Sequence, residues 1–117
     1  MLFRSGYAYA SCFHDRVAYE LTCEDSIYVA DDARGQGVGT MLLAALLDAA
    51  QARGFRQMIA ILGGDNPASV ALHTRAGFRE VGHLTSVGRK HGRWLDTYYL
   101  QRALGPGDAS EPEREPP

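Results

Sequence analysis

Residues 34 to 40 read Arg34-Gly35-Gln36-Gly37-Val38-Gly39-Thr40. Alternate glycines let a backbone turn tightly and approach a ligand with no Cβ in the way. Apolar residues at helical spacing follow, so the loop opens a helix with unpaired first N–H groups and a positive dipole end. That combination suits a phosphate, and Arg34 adds a cation for a charge-assisted bond. The common phosphate motifs are absent. No Gly-Lys-Ser/Thr follows, and the third glycine comes one residue early for G-x-G-x-x-G. A second signal is Asn66-Pro67, an N-cap residue followed by proline in the first helical turn. Cys12, His14 and Cys23 have spacing too loose for a known metal site, and no metal is expected.

These residues need elements to hold them. Tyr7 to Phe13 is apolar, aromatic and small, consistent with a strand. Ala18 to Val29 ends in the strand-forming run Ser26-Ile27-Tyr28-Val29. Val38, Met41, Leu42, Ala45, Leu46 and Ala49 recur at helical spacing, predicting a helix to about Arg53 with Gly54 at its cap. Gln57–Leu62 reads as a strand, Pro67–Arg75 as a helix, and Phe78–Val87 and Trp94–Leu100 as strands around a loop at 88–93. The order β-β-α-β-α-β-β predicts an α/β (α+β) domain with a mixed sheet.

The chain has 117 residues, enough for one small domain. Its formal charge of −2 argues against a general binder of nucleic acid or anionic membrane. No apolar run approaches the roughly 18 residues needed to span a bilayer. Met1-Leu2-Phe3-Arg4 lacks the apolar stretch of a secretion signal, and the two cysteines are expected to be reduced thiols, so a cytoplasmic location is expected. Residues 105–117 hold four acids, one Arg and four of the five prolines, a net −3 that leaves +1 on residues 1–104. That composition predicts a disordered acidic tail after a folded domain over 1–104.

The R-x-x-G-x-G pattern at 34–39, then Asn66-Pro67-Ala68-Ser69-Val70-Ala71-Leu72-His73 and Ala76-Gly77-Phe78, resembles the GNAT superfamily of acetyl-CoA-dependent N-acetyltransferases. Ala18–Val29 and Val87–Asp96 are similar to the phosphinothricin acetyltransferase subfamily, which includes acetyltransferases of methionine sulfoximine and methionine sulfone. The resemblance covers roughly residues 5 to 103. It implies a mostly antiparallel mixed sheet flanked by helices. It also implies that the strand and helices that usually precede this segment are missing. Glu20 stands where relatives often carry a basic residue, which bears on substrate choice rather than on the CoA site.

The resemblance implies direct attack by a primary amine on the acetyl-CoA thioester, with no acyl-enzyme. The pyrophosphate would sit on the loop from Arg34 through Gly35, Gln36, Gly37, Val38 and Gly39 to Thr40. The pantetheine arm would lie along Ile27-Tyr28-Val29, with Asn66 and, more weakly, Ser69 as further contacts. Glu24 matches the subfamily's base for the ammonium proton, and His73 stands where a proton donor to the leaving thiolate is expected. A backbone N–H of Tyr28 or Val29 would face the oxyanion. Asp25 should point to the opposite face of a regular strand from Glu24. Arg16, Tyr19 and Thr22 could line the acceptor side, for a small amino-acid-like amine. Trp94 is expected in core or dimer packing, and a homodimer is implied by the resemblance alone. The alternative is an incomplete, non-catalytic CoA-binding module of the same fold.

Overall fold

A computed structural model describes residues 2–3, 6–30, 35 and 37–115. The strands are β1 (Leu2–Phe3), β2 (Gly6–Cys12), β3 (Thr22–Val29), β4 (Gln57–Gly63), β5 (Arg79–Lys90) and β6 (Arg93–Ala103). The helices are α1 (Val38–Ala52) and α2 (Pro67–Arg75), and a 3-10 turn covers Val17–Tyr19. The strands form one sheet in the order β1-β2-β3-β4-β6-β5. Only β3 and β4 run parallel; the other neighbours are antiparallel.

Both helices pack on one side. α1 lays Leu42, Leu43, Leu46, Leu47 and Ala50 against Ala8, Cys23, Met58, Ala60 and Leu100, closing the core with Phe78 and Leu104. The apolar stripe is turned relative to the sequence expectation: Leu43 and Leu47 point inward, while Met41 is 50% exposed. An Ala/Leu-rich helix offers several apolar faces, and packing chooses among them. Gly54 has φ +92°, consistent with a glycine ending this helix.

Three differences from the sequence reading have physical reasons. Residues 17–19 form a 3-10 turn rather than strand, tied by Tyr19 N–H to the Arg16 carbonyl and Glu20 N–H to the Val17 carbonyl. The expected loop at 88–93 shrinks to His91-Gly92, both at positive φ (51° and 74°), the hand that matches strand twist in a two-residue hairpin. The segment after 104, expected to be disordered, is folded into turns over its described part. The Arg56 guanidinium donates to the carbonyls of Gly107 (2.8 Å), Ser110 (2.9 Å) and Glu111 (3.0 Å). Composition signals the lack of apolar burial but not that a single arginine can collect backbone carbonyls.

The topology makes an opening. β3 and β4 pair only at Thr22–Gln57, Cys23–Met58 and Glu24–Ile59. Beyond Glu24, β3 continues to Val29 with β2 alone, while β4 continues to Gly63 with β6. The two parallel strands therefore splay, and the β4-facing edge of β3 has no strand partner among the described residues from Asp25 onward. No helix among the described residues is long and apolar enough to cross a membrane.

Candidate functional site

A cleft of about 440 Å³ opens where β3 leaves β4. Ile27, Tyr28 and Val29 form one wall, Gly35 and Gly37–Thr40 the floor, and Asn66, Ala68, Ser69, Leu72 and Arg75 the other wall. The structure thus brings together ten of the residues singled out in the sequence. Arg34 and Gln36 lie outside the described residues. Ala68, Leu72 and Arg75 were missed, although Leu72 follows Ser69 at i+3 and Arg75 follows Leu72 at i+3, so each neighbours the one before it along the helix surface.

The glycines have different jobs. Gly37 is the N-cap of α1 at φ +78°, with no atom of a described residue within 4 Å of where a Cβ would be. Its conformation, not its neighbours, calls for glycine. Gly39 is helical, and a Cβ there would meet Leu72 Cδ2 at 3.2 Å. It lets α1 and α2 approach, which seats Leu72 in the cleft wall. At the start of α1 the N–H groups of Val38, Gly39 and Thr40 have no intrahelical acceptor, since the first helical bond runs from Met41 N–H to the Gly37 carbonyl.

Asn66 caps α2. Its Oδ1 accepts the Ser69 N–H at 3.2 Å. The amide NH2 remains available toward the cleft it lines, so capping and ligand contact are compatible.

Glu24 and Asp25 part company as strand alternation requires. Asp25 points to the helix side and is 6% exposed, and its Oδ2 accepts from His73 Nε2 at 2.8 Å. Glu24 lies on the other side, half-buried, at the last pair before the splay. The importance of Asp25 was missed, because its partner lies 48 residues away.

His73 is 1% exposed and is not on the cleft wall. Nδ1 donates to the Ser69 carbonyl at 2.7 Å, and Nε2 donates to Asp25. Both ring nitrogens face acceptors, an arrangement that favours the protonated ring. Burial alone would lower its pKa. The Asp25 hydrogen bond and charge, with the Ser69 carbonyl, outweigh burial and raise the pKa above the usual histidine value. The only described route from His73 to the cleft is Ser69, whose Oγ is 3.5 Å from Nδ1.

The residues expected on the acceptor side are not in the cleft. Arg16 and Tyr19 are exposed on the turn before β3, where Tyr19 packs on His14 at 5.1 Å between ring centroids. Thr22 begins β3, on the same side as Glu24. Trp94 is 65% exposed with Arg89 over its ring at 4.8 Å, so it is not a core residue of this chain. Cys12 and Cys23 face each other across β2 and β3 as free thiols. Burial, then the Asp25 charge, outweighs a backbone hydrogen bond and raises the Cys23 thiol to about 11, so it stays protonated at neutral pH. No group of three His, Cys, Asp or Glu side chains among the described residues could hold a metal ion.

A splayed parallel pair with a glycine-rich helix start at its mouth is the framework of an acetyltransferase fold, and comparison with known proteins agrees. The family profile described as "Acetyltransferase (GNAT) family" matches residues 6–78, and the chain belongs to that family. It is 50% identical over 109 residues to a phosphinothricin N-acetyltransferase of Alcaligenes faecalis, covering 92% of this chain and 55% of that protein. It is 43% identical over 101 residues to an L-methionine sulfoximine/L-methionine sulfone acetyltransferase of Pseudomonas paraeruginosa, covering 86% of this chain and 59% of the relative. A GNAT phosphinothricin acetyltransferase from Sinorhizobium meliloti, solved in complex with AcCoA, superposes with a TM-score of 0.90 at 52% identity. That match covers 93% of this chain and 59% of the other. The chain therefore spans little more than half the length of the relatives it matches.

Proposed function

We propose that the protein transfers acetyl from acetyl-CoA to the primary amine of a small amino-acid-like acceptor, of the phosphinothricin or methionine sulfoximine kind. The observation that carries this reading is the cleft. It brings unpaired helix N–H groups, an unpartnered strand edge and the Asn66–Ser69 start of α2 around one opening. The pyrophosphate would take the N–H groups of Gly37–Thr40. The arm would pair with the free edge of β3 at Ile27–Val29 and reach toward the apex of the splay. Asn66 and Ser69 would hold it from α2.

At the apex the amine nitrogen attacks the thioester carbon and the C–S bond breaks. Glu24, at the last β3–β4 pair, would take the proton the ammonium must lose. A backbone N–H of Tyr28 or Val29 would receive the oxyanion. His73 has no direct face on the cleft. Its proton would reach the leaving thiolate through Ser69, whose hydroxyl gives up one proton and regains another from Nδ1. Arg16, Tyr19 and Thr22 would meet the acceptor from the opposite end of β3. A homodimer is part of this proposal, supported by the exposed Val81, Val87 and Trp94 on the β5–β6 hairpin.

A second reading has its own support. Glu24, Arg16, Tyr19 and Thr22 lie off the cleft walls, as they would in a CoA-binding module without turnover. One experiment separates the two: acetyl-CoA binding by calorimetry alongside thiol release with phosphinothricin and methionine sulfoximine. Binding with thiol release supports the transferase. Binding without release from any amine of a wider panel supports the module. No binding overturns both.

A further inference from the structure

We propose that Arg75 is the residue that distinguishes CoA from 3′-dephospho-CoA, by binding the 3′-phosphate of the nucleotide end. This rests on the acetyl-CoA reading above.

Arg75 is the only charged side chain among the described residues lining the cleft. Its guanidinium makes no ion pair or hydrogen bond with any described residue. By contrast Arg102, close by, is committed to the carbonyls of Ala76 and Ala103, both within 2.9 Å. Among the described residues of the cleft, Arg75 is therefore the cation left free for a ligand.

Its position selects which phosphate it meets. Asn66 and Arg75 bracket α2, about 13 Å apart at 1.5 Å per residue. The pantetheine arm runs inward at the Asn66 end, along β3. The pyrophosphate belongs at the α1 N-terminus, where the unpaired N–H groups are. Arg75 lies at the far end of α2 from the arm, and it also lines a second cavity of about 310 Å³ between α1 and α2. Thr40 is common to both cavities, so the path from the pyrophosphate site into the groove is continuous. A nucleotide leaving the pyrophosphate along that groove brings its own phosphate to Arg75, with Ala44 and Leu47 as an apolar floor for the base. A guanidinium fork suits a terminal phosphate monoester, which offers several oxygens at once.

The test is calorimetric binding of CoA and of 3′-dephospho-CoA to the full chain and to Arg75→Gln and Arg75→Lys. A charge-assisted contact of this kind corresponds to about tenfold to hundredfold in affinity. The expected result is that the unmodified chain prefers CoA by that factor. Arg75→Gln abolishes the preference by weakening CoA alone, and Arg75→Lys retains part of it. The preference should shrink as salt is raised. If the chain binds both ligands equally, or Arg75→Gln weakens both alike, the assignment is overturned while the acetyl-CoA reading stands. If the unmodified chain binds neither ligand, the acetyl-CoA reading itself fails and takes this assignment with it. A melting curve for each variant checks that folding is unchanged, as expected for an exposed side chain.

Discussion

On the side of the sheet that α1 and α2 cover, Cys23, Asp25, Met58, Ala60 and Leu100 are buried, and no buried side-chain polar atom among the described residues lacks a partner. On the other side Tyr7, Tyr9, Tyr28 and Ile61 stand exposed, with Tyr7 stacked on Tyr9 and packed on Tyr28. Two adjacent carboxylates follow these two environments. Asp25 is spent on a buried ion pair that fixes α2 against β3. Glu24, one residue earlier, belongs to the uncovered side and its side chain has no hydrogen-bond or ion-pair partner among the described residues. The half of the site proposed for the cofactor is thus set by packing, and the half proposed for the acceptor is set by what surrounds Glu24.

That contrast can be broken most sharply at Glu24. Glu24→Gln should lower turnover by about 10²- to 10⁴-fold, the usual worth of a general base, with acetyl-CoA affinity unchanged. Steady-state thiol release beside calorimetry reads both, and an unaltered turnover would remove Glu24 from the chemistry. Asp25→Ala should act on stability instead. It leaves the buried His73 ring without its carboxylate partner and should cost about 3–5 kcal/mol in denaturant unfolding, as for other broken buried pairs. A small cost there would erase the distinction between the two carboxylates.

Smaller effects test the walls of the cleft. Asn66→Ala removes the α2 cap and should cost about 1 kcal/mol in unfolding, with a parallel loss of CoA affinity. A loss of stability alone would restrict Asn66 to capping. The pH dependence of stability is the finest probe. The folded-state pKa of His73 lies above its unfolded value near 6.5, so its contribution is full below that pH. It is then lost as pH rises through the raised folded value. Asp96 runs the other way. The Ser86 N–H, then His83, lowers its pKa, so its contribution is present above the usual carboxylate value of 3.8 and is lost as pH falls through the lowered one. Urea unfolding across pH should show the first slope vanish in Asp25→Asn and the second in Asp96→Asn.

Much of the cofactor half is legible in the sequence because its signals are local. A glycine loop before an apolar helix, and Asn-Pro before another, each specify backbone conformation within a few residues. The two helices accordingly fall at 38–52 and 67–75, close to the periodic segments. The Asp25–His73 pair is not legible, since alternation says only that Asp25 faces away from Glu24. Nothing local says that a histidine on another element awaits it. Arg75 escaped because one charged residue near a helix end looks like surface until the groove beside it is seen. The register shift of β5 against β6 between Leu84 and Gly88 escaped for the same reason: within it Ser86 sits at φ +54°, and Asp96, ten residues on, accepts its N–H at 2.9 Å.

The turns gathered around Arg56 bear on the order in which the molecule can be completed. β4 takes one neighbour from before it, β3, and one from near the end of the chain, β6. The Arg56 side chain then waits for carbonyls 51 to 55 residues further on. During synthesis the centre of the sheet therefore keeps an open edge until residue 103 has emerged, and its last clasp closes only with residue 111. Such non-local closure slows folding relative to a chain of local hairpins. Stalled or shortened chains would present the bare edge of β4, making premature termination a route to aggregation.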